Sequence, residues 1–114
     1  MAIRYLSDID LSQNSLKNVK IPGNYIQLQN RAFLNCSSLA LFVWDASEAI
    51  YENQSLEYEV FSNCSDLRDV YFSKNIGAIG KNIFSGCNNI LIHTSSDSVV
   101  ESYAENNGIE YVIE

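Results

Sequence analysis

Apolar and polar positions fall into a pattern that returns along the chain. Ala32-Phe33-Leu34-Asn35-Cys36-Ser37-Ser38-Leu39 recurs as Val60-Phe61-Ser62-Asn63-Cys64-Ser65-Asp66-Leu67, and again as Ile83-Phe84-Ser85-Gly86-Cys87-Asn88-Asn89-Ile90. Each copy reads apolar, Phe, any residue, Asn or Gly, Cys, two polar residues, aliphatic. Around each aliphatic anchor the apolar residues then alternate: Leu16, Val19, Ile21; Leu39, Phe42, Trp44; Leu67, Val70, Phe72. Alternation with a period of two predicts a short, half-buried strand. One strand per copy is therefore expected, with those residues turned inward.

The spacing of the copies says how they assemble. Phe33 to Phe61 is 28 residues and Phe61 to Phe84 is 23. Leu16 to Phe33 and Leu67 to Phe84 both span 17 positions, whereas Leu39 to Phe61 spans 22, so the additional five residues lie between Trp44 and Leu56. A unit of this size cannot bury its apolar face alone, and stacking copies builds one continuous core. An earlier stretch, Ile9-Asp10-Leu11-Ser12-Gln13-Asn14-Ser15-Leu16, carries half of the pattern, which brings the total to about three and a half to four coils. The end of the chain departs from it. Ser98-Val99-Val100-Glu101 is a capping-box pattern opening a helix, Asn106-Asn107-Gly108 supplies a stop, and Ile109 to Ile113 alternates as a last strand. A stack exposes its core at each end, so residues 96–114 read as a cap.

The three aligned copies resemble the BspA-type leucine-rich repeat, on the motif A-F-x-x-C-x-x-L, a short strand, and a return through Ile76-Gly77-Ala78-Ile79-Gly80-Lys81-Asn82-Ile83. The resemblance covers residues 16–114 and includes the ending Ser102-Tyr103-Ala104-Glu105-Asn106-Asn107-Gly108-Ile109. It implies an α/β solenoid used for binding, commonly on bacterial or protist surfaces, with no enzymatic activity or cofactor attached to the repeat. The whole chain then reads as one domain, with residues 1–15 a docking segment and first partial coil, 16–95 the repeats and 96–114 the cap. Residues 4–21 also resemble the opening of some tailed-phage tail and fibre proteins. That likeness implies a virion component docked to other virion proteins through Tyr5, Leu6, Ile9 and Leu11.

Composition narrows the choice of partners. Seven Lys+Arg against fourteen Asp+Glu give a net charge of −7, which cannot neutralise a phosphate backbone, so nucleic acid is excluded as a partner. The N-terminal residues show no apolar run of signal-peptide length, and no stretch approaches the roughly 20 apolar residues of a membrane span, so no export signal and no membrane insertion are expected in this chain. Virion or cell surface remain as the expected locations.

Residues with reactive side chains read as structural. Cys36, Cys64 and Cys87 occupy one repeat position and so form a column of small buried side chains; their odd number and the absence of a Cys-x-x-Cys pair speak against a metal or disulfide framework. Phe33, Phe61 and Phe84 form a second column. His93 reads as an ordinary surface or edge histidine, since one imidazole makes no structural zinc site. Asp45, Glu48, Glu52, Glu57 and Glu59 form an acidic cluster that matches no calcium-loop template, with Glu57 and Glu59 on one side of a strand.

The outward strand positions carry the binding expectation. Leu41, Val43 and Tyr71 put apolar surface where a strand in water ordinarily shows polar groups, and Lys20, Arg68 and Asp69 flank them. These six residues are the candidate site for a protein or glycan. The strand pattern at the N-terminal end leaves an edge that must be paired, covered or charged, so self-association through that edge is expected.

Overall fold

A computed structural model describes residues 4–6 (backbone only), 16–45 and 53–114. It is a parallel β-solenoid of about four turns. Each coil carries two strands rather than the expected one. The first sheet runs in the order β1 (Arg4–Leu6), β3 (Tyr25–Leu28), β5 (Gln54–Leu56) and β7 (Ile76–Ile79). The second runs β2 (Asn18–Ile21), β4 (Leu41–Trp44), β6 (Asp69–Tyr71), β8 (Leu91–Thr94) and β9 (Glu110–Ile113). Every pairing is parallel.

The second strand of each coil hides because its alternation is broken. Gln27, Ser55 and Ala78 share one outward rung, Leu28, Leu56 and Ile79 the inward one, and the register slips between Gln54 and Ser55 opposite Ile76 and Ala78. Gln54 then points inward and is fully buried. Its Nε2 donates to the Gly23 and Tyr25 carbonyls at 3.1 and 2.8 Å, which compensates part of the cost of placing an amide in the core.

The repeated octet forms a corner that is itself a backbone ladder. The N–H groups of Arg31, Phe33 and Asn35 donate to the carbonyls of Tyr58, Val60 and Ser62 at 3.1, 2.9 and 2.9 Å. Those of Glu59, Phe61 and Asn63 donate to Lys81, Ile83 and Ser85 at 3.0, 2.8 and 2.7 Å. Two residues per corner adopt the left-handed conformation: Arg31, Glu59 and Asn82, then Asn35, Asn63 and Gly86. Asn tolerates that region better than most residues, and Asn63 Nδ2 donates to Asn35 Oδ1 at 3.0 Å, joining the two coils. Gly86 takes the same position in the last corner, where a Cβ would lie 2.4 Å from Asn63 Oδ1 and would require that side chain to shift.

Inside the corner the rings of Phe33, Phe61 and Phe84 stack nearly parallel, with centroids 5.5 and 5.6 Å apart. Phe42 meets Phe33 and Phe61 edge-on at 5.4 and 4.8 Å. Cys64 and Cys87 each donate the thiol to the carbonyl of the Phe one coil earlier, Phe33 at 3.1 Å and Phe61 at 3.2 Å. All three cysteines are free.

At the last coil, α1 (Val99–Asn106) packs against β7, β8 and β9 and buries Val100 and Ala104. Ser98 is its N-cap, accepting from the Glu101 N–H at 3.0 Å. The Glu101 carboxylate returns to the N–H of Asp97 at 2.8 Å, one residue earlier than the reciprocal bond of a regular capping box. Glu57 and Glu59 do not share a strand: β5 ends at Leu56, and Glu59 is a left-handed corner residue.

Candidate functional site

Parallel register turns the outward positions of the second sheet into two continuous rows. One is Asn18, Leu41, Asp69, Leu91 and Glu110; the other is Lys20, Val43, Tyr71, His93 and Val112. Val19, Phe42, Val70, Ile92 and Tyr111 lie between them and face the core. Apolar residues dominate the outward face, where Leu41, Val43, Tyr71 and Leu91 are half-buried and Val112 is exposed, with Asp69 and His93 set among them. A shallow groove of about 320 Å³ beside it is lined by Lys20, Val43, Tyr71, Lys74, His93 and Glu114, among others.

The rows bring together five of the six residues singled out from the sequence. Lys20, Val43 and Tyr71 share one row and Leu41 and Asp69 the other. Arg68 sits just ahead of β6, exposed at the corner, where its N–H donates to the Ala40 carbonyl at 3.1 Å. Of the N-terminal candidates, Tyr5 and Leu6 lie in β1, and Ile9 and Leu11 fall outside the described residues.

Leu91 and His93 belong to the same surface and were missed. They follow Ile90 as Leu41 and Val43 follow Ala40, so extending the outward register by one more coil would have found them. His93 is no ordinary surface histidine. Its side chain is 11 % exposed, its ring stacks on Tyr71 with centroids 3.9 Å apart and planes 10° from parallel, and its two nitrogens lie 2.9 Å from Asp69 Oδ1 and 3.2 Å from Glu114 Oε2. Those carboxylates engage both nitrogens, so the imidazole serves as a bracket between β6, β8 and the chain end. At the basic end, Lys20 lies 3.6 Å from Asp45.

The outward side of the first sheet differs in kind. Gln27 donates to Ser55 Oγ at 3.2 Å, Arg31 pairs with Glu59 at 2.7 Å, and the Arg31 guanidinium lies 5.5 Å from the centre of the Tyr58 ring. A hollow of about 650 Å³ there is lined by these groups together with Leu56, Ala78, Ile79 and Lys81.

The three thiols are not alike: the hydrogen bond with Cys64 lowers Cys36, whereas Cys64 and Cys87 are raised. Burial pushes the Cys87 thiol up to about 11, and the neighbouring thiol of Cys36 together with burial pushes Cys64 up further. Such thiols are poor nucleophiles at neutral pH. Among the described residues no group of three or more His, Cys, Asp or Glu is placed to hold a metal ion, and no helix is long and apolar enough to cross a membrane. Within the acidic cluster, Asp45 and Glu59 face Lys20 and Arg31, and Glu48 and Glu52 fall outside the described residues.

The family model for the BspA type leucine rich repeat region (6 copies) matches residues 3–105. The chain belongs to the BspA-type leucine-rich repeat family. BspA-type repeats are generally non-enzymatic modules and commonly bind other proteins. No curated protein and no solved structure matches the chain.

Proposed function

We propose that this BspA-type array is a non-catalytic module that binds a segment of another protein across the outward face of its five-stranded sheet. One observation carries the reading: Leu41, Val43, Tyr71, Leu91 and Val112 lie on neighbouring rungs of a single face, with Lys20 at its β2 end, Glu110 and Glu114 at its β9 end, and the one charge among them, Asp69, tied to His93. Adjoining apolar side chains rimmed by charge are the usual anatomy of a protein interface. A glycan fits less well. Sugars recognised through aromatic residues need an open ring face, and Tyr71 and His93 have turned theirs toward each other at 3.9 Å. Presented edges and methyl groups suit apolar side chains of a partner instead.

Panning the immobilised protein against a displayed library of random dodecapeptides supplies the test. Enriched peptides are expected to bind Leu41→Ala and Tyr71→Ala at least about tenfold more weakly, a change of roughly 1.4 kcal/mol, while both variants keep nearly the parent melting temperature. Peptides that bind both variants as well as the parent overturn the assignment of this face.

A further inference from the structure

We propose that the corner of the last coil docks an extended segment of another protein, taken up through the backbone carbonyls on either side of an aromatic residue. Residues 29–40, 57–68 and 80–90 form the corners that join the first sheet to the second, whereas residues 107–109 alone join α1 to β9. The cap therefore covers β7 with α1 and extends the second sheet with β9, but it lays no corner over residues 80–90. A hollow of about 580 Å³ stands in that place, with Asn82, Phe84, Tyr103, Ile109 and Glu110 among the residues on its wall.

The groups left unmet there are specific. In the two corners before it, the amides of Arg31, Phe33 and Asn35, then of Glu59, Phe61 and Asn63, donate to carbonyls of the coil beyond. The equivalent amides of Asn82, Phe84 and Gly86 have no acceptor among the described residues. The carbonyls of Phe33 and Phe61 each accept a thiol from the coil beyond, and among the described residues that of Phe84 accepts none. The stack of rings ends at the same point, where Phe84 is 9 % exposed against 1 % for Phe33 and 0 % for Phe61.

These groups select the occupant. A row of donors is satisfied by a chain that brings acceptors. The last corner of a second copy brings only the same donors, so a symmetric pair leaves both rows unmet. The coils already stacked set the spacing of the acceptors: they lie three residues and one residue before a Phe and one after it, as Tyr58, Val60 and Ser62 do around Phe61 and Lys81, Ile83 and Ser85 around Phe84. Glu110 is the one charged residue on the wall and forms no ion pair among the described residues, so a Lys or Arg in the segment complements it. The occupant is thus an extended stretch with an aliphatic residue, an aromatic residue and a nearby cation.

An octapeptide with the sequence of Ile79–Gly86, blocked at both ends, carries the three carbonyls, the Phe and one Lys, and serves as the probe. Added to the isotope-labelled intact chain, it is expected to shift the amide resonances of Asn82, Phe84 and Gly86 and to slow their hydrogen exchange at least about fivefold. Replacing the Phe of the peptide by Ala is expected to weaken binding at least about tenfold. Asn89→Trp and Ser85→Trp, at two exposed positions on the wall, fill the hollow and are expected to weaken binding as much while keeping the parent's melting temperature. Tyr71→Ala is expected to bind the probe as the parent does, which separates this site from the sheet face. Unmoved amides at Asn82, Phe84 and Gly86, equal binding of the Ala peptide, or undiminished binding by both Trp variants overturns the proposal.

Discussion

The two sheets of this solenoid are cut from the same coils, stack with the same parallel ladders and share one core, yet their outer surfaces have little in common. On the first sheet the outward rung Gln27, Ser55 and Ala78 is small or polar, and its amide and hydroxyl bond to each other. On the second, Leu41, Val43 and Leu91 stand outward beside Tyr71, which is stacked on the one imidazole among them, itself held by two carboxylates. Stacking explains why they differ so freely. The inward rows must pack against the coil above and the coil below, so they stay largely apolar; the outward rows answer only to solvent or to a partner. Binding in such a fold is therefore to be sought in whichever outward row keeps an apolar surface that the core does not need.

Substitutions separate what the sheets share from what each owns. The largest loss is expected from Phe61→Ala, which removes the middle ring of the stack and the partner of Phe42 in the opposite strand, costing about 3–5 kcal/mol in urea unfolding and lowering amide protection in both sheets. Gln54→Ala acts on one sheet only. It orphans the Gly23 and Tyr25 carbonyls, with an expected cost of about 1–3 kcal/mol and faster amide exchange confined to β3 and β5. Equal loosening of β4 and β6 would mean the sheets are not independent.

A smaller effect is expected from pH and belongs to the corner between the sheets. An ordinary thiol ionises near 9.0, whereas burial holds Cys87 protonated up to about 11. The unfolded chain thus releases that proton first, so the contribution to stability is whole below about pH 9 and shrinks as pH rises toward 11. Urea midpoints taken at both pH values should fall less in Cys87→Ala than in the parent; an identical fall places the sensitivity elsewhere.

What could be seen in the sequence was whatever repeats or acts locally. Phe33, Phe61 and Phe84, and the cysteine three places after each, align by eye because every coil must fill the same corner. Ser98 and Glu101 announce α1 because a cap is completed within four residues. The first sheet left no such trace. Three of its four strands read YIQL, QSL and IGAI, with a buried glutamine and a register slip interrupting the alternation that betrays a strand. His93 was misjudged for another reason: its ring partner Tyr71 lies 22 residues away and its carboxylates, Asp69 and Glu114, 24 and 21 residues away, so only the stacked coils bring them together.

Titrating an enriched peptide into isotope-labelled protein and following the backbone amide resonances shows which outward face the peptide occupies. Shifts confined to residues 41–43, 69–71, 91–93 and 110–112 are the result the outward apolar face requires. Shifts gathered instead around Gln27, Ser55 and Ala78 would move binding to the other sheet and contradict the account.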